Sequence, residues 1–264
     1  MTKIGFNEIY PFATENVKGY FSNIGIKNKT VLTVDSSLDQ AFNAYLFGAK
    51  NVTVFDINPH TENFYRIKKQ AILTVPREEL YRLLTNKEKL FSFLKDENIT
   101  STDFIVSKDV LSEDAVTSNN LYLQSDEEYL KLRQILKKKE PTFITGNIFD
   151  KQDLGKYDCI IISNILQYIT TFFPKDDPYQ ILQQVLNNLK EHLTQNGILQ
   201  LLYLYSYTMD DIKRNEHPIP IYRLKDVYET LKGESLDITW IEGALYAYNK
   251  YDQDAIITYQ KKGR

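Results

Sequence analysis

The chain predicts an α/β protein: a seven-stranded, mostly parallel sheet with helices on both faces and a helical insertion between the second and third strands. Three observations predict it. Short β-branched runs alternate with amphipathic stretches along most of the 264 residues, the pattern of strand–helix units. That alternation is interrupted once, over about residues 76–140, by helical periodicity alone. Polar and acidic residues gather just after the apolar runs, which is where open α/β sheets bind ligands.

The elements follow in order. Thr30–Val34 is short, β-branched and apolar, as a buried parallel strand should be. A polar turn, Asp35 to Asp39, leads into a helix over Gln40–Phe47, with Gly48 as its stop. Ala41 and Ala44 are small enough to let that helix lie close to the sheet. Asn51–Phe55 is the second strand, ending in Asp56-Ile57-Asn58-Pro59; Phe64, Ile67, Ala71 and Ile72 then recur at helical spacing. In the insertion, Pro76–Lys95 reads as one helix with a stripe of Leu80, Leu83, Leu84, Phe91 and Leu94. Residues 96–124 read as irregular, and Ser125 with Glu128 forms a capping box that opens another helix toward Lys139.

Thr142–Thr145 and Tyr157–Ile162 are the third and fourth strands, followed by Gly146-Asn147 and by Ser163-Asn164. Asp177-Pro178 starts a helix carrying Ile181, Leu182, Val185, Leu186, Leu189 and Leu193, which Asn196-Gly197 should close. Ile198–Leu204 is the fifth strand; a helix through Leu224–Leu231 follows, and Leu236–Ile241 and Ala255–Tyr259 complete the seven.

Composition narrows the function. Apolar residues make up 42% of the chain, enough for a real core over a single domain spanning residues 1–264. The formal net charge of −3 leaves no electrostatic footprint for a long phosphate backbone, so nucleic acid is not an expected partner. One cysteine and three histidines speak against a disulfide framework and against a metal site. No apolar run approaches the roughly 20 residues that span a bilayer, and no signal peptide is visible, so a cytoplasmic location is the expectation.

The candidate site lies at the strand ends. Asp56 stands twenty-one residues beyond Asp35, at the end of the second strand. That is the placement of the acid that accepts hydrogen bonds from ribose hydroxyls. A turn cap ahead of Pro59 is the plainer alternative. The first turn has no glycine between Val31 and Gly48, although a dinucleotide needs glycines there for close backbone approach. It carries Asp35 and Asp39 instead, and negative charge at a helix N-terminus competes with a phosphate.

S-adenosyl-L-methionine sets the opposite requirement, having an ammonium, a carboxylate and a sulfonium but no phosphate. Asp35 is expected to pair with the ammonium, and Ser36 and Ser37 to meet the carboxylate. Asp39 is expected beside them, and as the helix N-cap. Asn147 suits the edge of adenine, with Ile57 and Ile148 sandwiching the purine and Ser163 at the end of the fourth strand; equally, Asn147 reads as a plain turn residue after Gly146.

These residues carry a resemblance. Val31–Asp35, Val54–Asn58, Gly146–Asp150, Tyr157–Asn164 and Leu193–Gly197 resemble, in order and spacing, the motifs of class I S-adenosyl-L-methionine-dependent methyltransferases over about residues 28–75 and 140–204. The resemblance implies a Rossmann-like sheet, that cofactor, and methyl transfer to a small-molecule acceptor. Two departures stand out: serines and acids replace the glycine-rich first turn, and Asn147 stands where the family often has Asp.

A narrower resemblance rests on Ser36–Gln40, Ile57–Pro59, Lys68, Ala71-Ile72 and Ile162–Ile165. It is to enzymes that move an aminocarboxypropyl group from the same cofactor onto diacylglycerol. A third reading is a non-catalytic cofactor-binding or partner module, which predicts a large exposed apolar patch.

The acceptor side shows no dedicated base. Its walls are expected from the N-terminal arm, with Tyr10 and Phe12; the segment after the fourth strand, with Asn164, Gln167, Tyr168, Phe172 and Phe173; and the end of the fifth strand, with Tyr203, Tyr205 and Tyr207. Asn164 and Gln167 are the polar candidates for holding an acceptor; the aromatics suit cation–π contact with a sulfonium, or plain packing.

Overall fold

A computed structural model describes residues 8–97, 105–107, 111–165, 168–205, 236–242 and 253–261. Its strands are β1 (Glu8–Ile9), β2 (Thr30–Val34), β3 (Asn51–Asp56), β4 (Ile105–Val106), β5 (Thr142–Thr145), β6 (Tyr157–Ser163), β7 (Leu193–Tyr205), β8 (Leu236–Glu242) and β9 (Gln253–Gln260). Its helices are α1 (Val17–Ser22), α2 (Asp39–Leu46), α3 (Thr61–Thr74), α4 (Arg77–Thr85), α5 (Lys87–Asp96), α6 (Glu113–Asn119), α7 (Asp126–Leu136), α8 (Ile169–Phe172) and α9 (Pro178–Glu191).

Seven strands form one sheet in the order β5-β3-β2-β6-β7-β9-β8. The first five in that order are parallel, and β9 runs antiparallel between β7 and β8. This is the expected α/β, Rossmann-like sheet with its mixed edge. The chain moves outward from β2 through β3 to β5, then returns to β6 on the other side of β2. The order therefore reverses between β2 and β6, and the crevice outside their carboxyl ends is the topological switch point.

Alternation along the strands sends residues to two cores. Leu32, Phe55, Ile160 and Ile162 pack with Leu182, Leu186 and Leu189 of α9. Val31, Val52, Val54, Cys159 and Ile161 pack on the opposite face, against α1, α2, α3 and the inserted helices. Ala41 and Ala44 are fully buried, and Gly48, at φ 90°, ends the segment in the left-handed region glycine tolerates.

Between α3 and β5 come α4, α5, β4, α6, a 3₁₀ turn at Leu121–Leu123, and α7. The single expected helix over Pro76–Lys95 is in fact two. Asn86 leaves helical geometry at φ −105°, ψ 112°, and its side chain accepts the N–H of Lys89, capping the second helix. The restart changes the helical phase, so Leu90 and Leu94 are buried while Phe91 is 48% exposed.

Residues taken as irregular include α6, capped by Ser112, and β4, which pairs in parallel with β1. Ser125 caps α7 through the N–H of Glu128, as expected. Asn196-Gly197 does not end a helix. The helix stops at Glu191, and β7 begins at Leu193 with an irregular register between Tyr157 and Cys159 that accommodates Asn196 at φ 62°. A Cβ on Gly197 would lie 3.0–3.1 Å from the backbone of Thr194 and Tyr157, so only glycine fits this bulge comfortably.

The helix expected through Leu224–Leu231 lies outside the described residues, as do Gln167 and Tyr207. So do the side chains of Tyr203 and Tyr205. No helix among the described residues is long and apolar enough to cross a membrane.

Candidate functional site

Register brings the acids together. Val34 pairs with Phe55 and Thr33 with Ile161, so Asp35, one step beyond β2, stands between Asp56 and Ser163 in one row across the sheet. Thr145 extends that row on the far side of Asp56. All lie on the sheet face that carries the N-terminal arm.

Asp35 is turned into its own turn. Its Oδ1 accepts the N–H of Leu38 at 2.7 Å and the hydroxyl of Ser37 at 3.2 Å, and Oδ2 accepts the N–H of Ala41 at 2.8 Å. These N–H groups are the ones a helix N-terminus offers to an anion. The chain thus fills the anion site of α2 with its own carboxylate and closes it to a phosphate. Asp35, the residue expected to pair with an ammonium, is thus bonded to the hydroxyl and N–H groups of its own glycine-free turn. Burial pushes its pKa up to about 7, with neighbouring Asp39 adding to the rise and the Ala41 N–H and Lys68 opposing it. Leu38 sits at φ 70° with its side chain fully buried, a left-handed conformation in a residue with a Cβ.

Asp39 is not the cap of α2 and is not open to a ligand. Leu38 is the N-cap residue, and Asp39 has no exposed surface. Its Oδ1 receives the Lys68 ammonium at 2.6 Å and the Tyr122 hydroxyl at 2.7 Å, and its Oδ2 receives the N–H of Ala13 at 2.6 Å. Lys68 spends its other two protons on the carbonyls of Pro11 and Ser37, both at 2.8 Å, and lies 4.5 Å from the centroid of the Phe12 ring. Lys68 belongs to the third helical turn after Pro59, and no sequence signal marked it as the partner of Asp39.

Asp56 ends β3 and is 8% exposed. Its Oδ1 accepts the N–H of Asn58 at 2.8 Å. Burial pushes its pKa up to about 6, against the lowering effect of that N–H. Asn58 in turn donates to the carbonyl of Glu8 and accepts from the N–H of His60, tying the turn to the arm.

Asn147 is half-buried; its Oδ1 accepts the N–H of Phe149 at 3.1 Å in an Asx turn. The Gln152 amide donates to the Asn147 carbonyl at 2.8 Å and lies over Gly146. Ile57 is half-buried, and Ile148 is buried in the core with Leu32 and Phe55. Ser36 is half-buried and Ser37 is 3% exposed.

The N-terminal arm crosses the carboxyl edge and is bonded at four residues along it. The carbonyls of Glu8, Ile9 and Pro11 accept from Asn58, Ser107 and Lys68, and the N–H of Ala13 binds Asp39. Glu15 receives the Ser163 hydroxyl on its Oε2, and the Gln40 amide reaches the same oxygen at a long 3.5 Å. Gln40 is itself bonded to the hydroxyl of Thr33. Glu15 therefore links Gln40 of α2 to Ser163 at the end of β6, a connection that sequence reasoning missed.

Asn164, immediately after β6, is left-handed at φ 54°. Tyr168 is half-buried, and burial raises its pKa, with Glu8 adding to the rise. Tyr10, in the arm, is half-buried as well.

No protein-family model matches the chain, and no curated protein does. Solved structures do match. The magnesium protoporphyrin IX methyltransferase of Synechocystis PCC 6803, solved with S-adenosyl-L-homocysteine, is 13% identical, with 93% of this chain and 80% of that one covered and a TM-score of 0.47. The N-methyltransferase NodS of Bradyrhizobium japonicum WM9, solved with the same molecule, is 10% identical, with 94% and 84% covered and a TM-score of 0.45. An O-methyltransferase family protein of Burkholderia thailandensis is 10% identical at a TM-score of 0.46; 94% of this chain matches 56% of that one.

Proposed function

We propose that the chain is an S-adenosyl-L-methionine-dependent transferase that moves a methyl group onto a small-molecule acceptor. One observation carries the reading. A buried acid, Asp56, ends the strand beside the first turn, while the phosphate-binding end of α2 is occupied by Asp35. A nucleoside cofactor with ribose hydroxyls and no phosphate suits that pairing; a dinucleotide does not.

In this reading Asp56 accepts hydrogen bonds from the ribose, and Asn147 faces the adenine edge. Ser36, Ser37 and Ser163 surround the methionine end at the switch point. Bound there, the cofactor supplies an electrophilic carbon on its sulfonium. The protein's share is to orient donor and acceptor in line and to exclude water, which the buried arm does by covering the crevice. Tyr10, Asn164 and Tyr168 border the acceptor side. Wild-type protein titrated with S-adenosyl-L-methionine should give micromolar binding, with none for NAD; the reverse would sink the reading.

A second reading, aminocarboxypropyl transfer, is favoured by a separate observation. Three residues of the narrower resemblance are bonded to one another: Lys68 donates to the Ser37 carbonyl and to Asp39. The two reactions leave different products. Attack on the methyl carbon releases S-adenosyl-L-homocysteine, and attack on the methionine γ-carbon releases 5′-methylthioadenosine, so chromatography of a turnover mixture separates them.

The non-catalytic module predicts one large apolar patch. The exposed large apolar side chains among the described residues are Phe91, Ile105, Leu130 and Trp240, each on a different element.

A further inference from the structure

The edge of the sheet opposite the crevice is lined with lysine. Lys29, Lys50, Lys139, Lys156 and Lys190 stand one to three residues ahead of the parallel strands β2, β3, β5, β6 and β7. Lys261 follows β9, which runs the other way and so ends at this same edge. Lys27, Lys137 and Lys138 add to the row. Nine lysines thus stand against four acids there, Glu140, Asp153, Asp158 and Glu191, in a chain whose net charge is −3. No arginine lies in these connections.

Hydrogen bonds string the row together. Lys139 Nζ donates to the carbonyls of Ala49 at 3.1 Å and Lys50 at 3.2 Å, and Lys156 Nζ donates to the carbonyl of Glu191. Lys261 Nζ donates to the carbonyls of Lys190 at 3.3 Å and Leu193 at 3.2 Å. A carbonyl accepts a proton's bond without cancelling its charge. Of the acids, Glu140 is paired with Lys69, and Asp158 accepts from Thr30 and Thr194. Lys27, Lys50, Lys137 and Lys138 are exposed and enter no salt bridge among the described residues. Cations are favoured at a helix's carboxyl end, which accounts for Lys137 to Lys139 after α7 and Lys190 in α9. It does not account for Lys29 and Lys156, which follow loops.

We propose that this edge docks the protein on an anionic phospholipid membrane. From β5 to β9, six strands at about 4.8 Å spacing spread the charge over roughly 24 Å, too wide for a single phosphate and suited to a surface. Lysine is a point charge on a flexible stem, and each one near a negatively charged bilayer adds its own attraction. Nucleic acid suits the row less well. It has no arginine fork, and its nearest rings, Phe47, Tyr157 and Tyr259, are half-buried and offer bases no open stacking platform. The rest of the chain carries the balancing negative charge, so the polarised molecule meets a negative surface by this edge. Docked so, the crevice faces away from the lipid, about a strand length of roughly 17–20 Å from it. The inference rests on charge and topology and is independent of the cofactor reading.

The test is sedimentation of the full chain with two kinds of vesicle, phosphatidylcholine alone and phosphatidylcholine with about 30% phosphatidylserine, at about 50 mM and about 500 mM salt. Wild-type protein is expected to pellet with the phosphatidylserine vesicles at low salt, to be released at high salt, and to stay in solution with phosphatidylcholine alone. A variant carrying Lys27→Gln, Lys50→Gln, Lys137→Gln and Lys138→Gln should bind about a hundredfold more weakly or worse, at roughly fivefold per lysine. A control carrying Lys18→Gln, Lys87→Gln, Lys89→Gln and Lys175→Gln loses the same net charge from α1, α5 and the segment after β6, and it should keep most of the binding.

Equal loss in the two variants would overturn the assignment, because net charge and not this edge would then set the binding. Failure to pellet with either vesicle would overturn it too, as would equal pelleting with phosphatidylcholine alone. An RNA of about 30 nucleotides held more tightly than the phosphatidylserine vesicles at the same salt would give the edge to nucleic acid instead. The variants are exposed substitutions and should melt as wild type does. If the fourfold edge variant melts lower, Lys137→Gln with Lys138→Gln takes its place, with a loss of roughly twentyfold expected.

Discussion

The Lys68 ammonium lies 2.6 Å from the Asp39 carboxylate, with neither side chain exposed. Together they join the arm, the first turn and the insertion, because their remaining bonds go to Pro11, Ala13, Ser37 and Tyr122. Burial lowers the pKa of Lys68, and Asp39 counters it. The pair is a costly way to join three segments, and its value is in fixing one arrangement of them.

Removing one partner strands the other. Lys68→Met should lower stability by about 3–5 kcal/mol in chemical denaturation, while Lys68→Met combined with Asp39→Asn should lower it by less. A double variant as unstable as the single one would mean that the charges are not the cause.

Leu38 offers a contest between backbone and side chain. Truncating a fully buried leucine costs about 2–5 kcal/mol, whereas the left-handed backbone costs roughly 1–2 kcal/mol in any residue with a Cβ. Both Leu38→Ala and Leu38→Gly should destabilise, but the glycine variant less, reversing the usual order of the two residues. Melting curves decide it.

Asp56→Asn should leave the fold intact and weaken S-adenosyl-L-methionine by about tenfold or more, through loss of charge-assisted bonds to the ribose. It should weaken 5′-methylthioadenosine to the same degree, because both ligands carry the ribose. Calorimetry with the two ligands checks it.

Burial pushes the pKa of Asp35 up to about 7 and that of Asp56 up to about 6, above the 3.8 of an unperturbed aspartate. The folded state therefore holds these protons more tightly than the unfolded one. Their contribution to stability is fully present below pH 4 and is lost as pH rises through 6 and 7. Melting temperature against pH should carry a falling component over that window, and Asp56→Asn should flatten its lower part. An unchanged slope would remove Asp56 from the account.

Much of this was legible along the chain. The strands at Thr30, Asn51, Thr142 and Tyr157 announce themselves because a parallel strand buried on both faces must be a short apolar, β-branched run. Asp56 was legible as well, since a strand end is a local feature. Missed were α1, β1, β4 and α6, whose sequences are short or polar and which depend on contacts with distant segments.

What the sequence determined by itself is the alternation of elements, and therefore the sheet and the strand ends at which its polar residues gather. Hydrophobic period is a local property, and it selects secondary structure and layer order before any contact is made. The tertiary structure decided which acid does what. Asp35, Asp39 and Glu15 are alike as residues, and they differ only in what folding brings beside them: the N–H groups of a turn, a buried ammonium from the α3 helix, and a serine at the end of a strand 148 residues away. A carboxylate's role depends on its partners and its exposure, and neither is written in spacing.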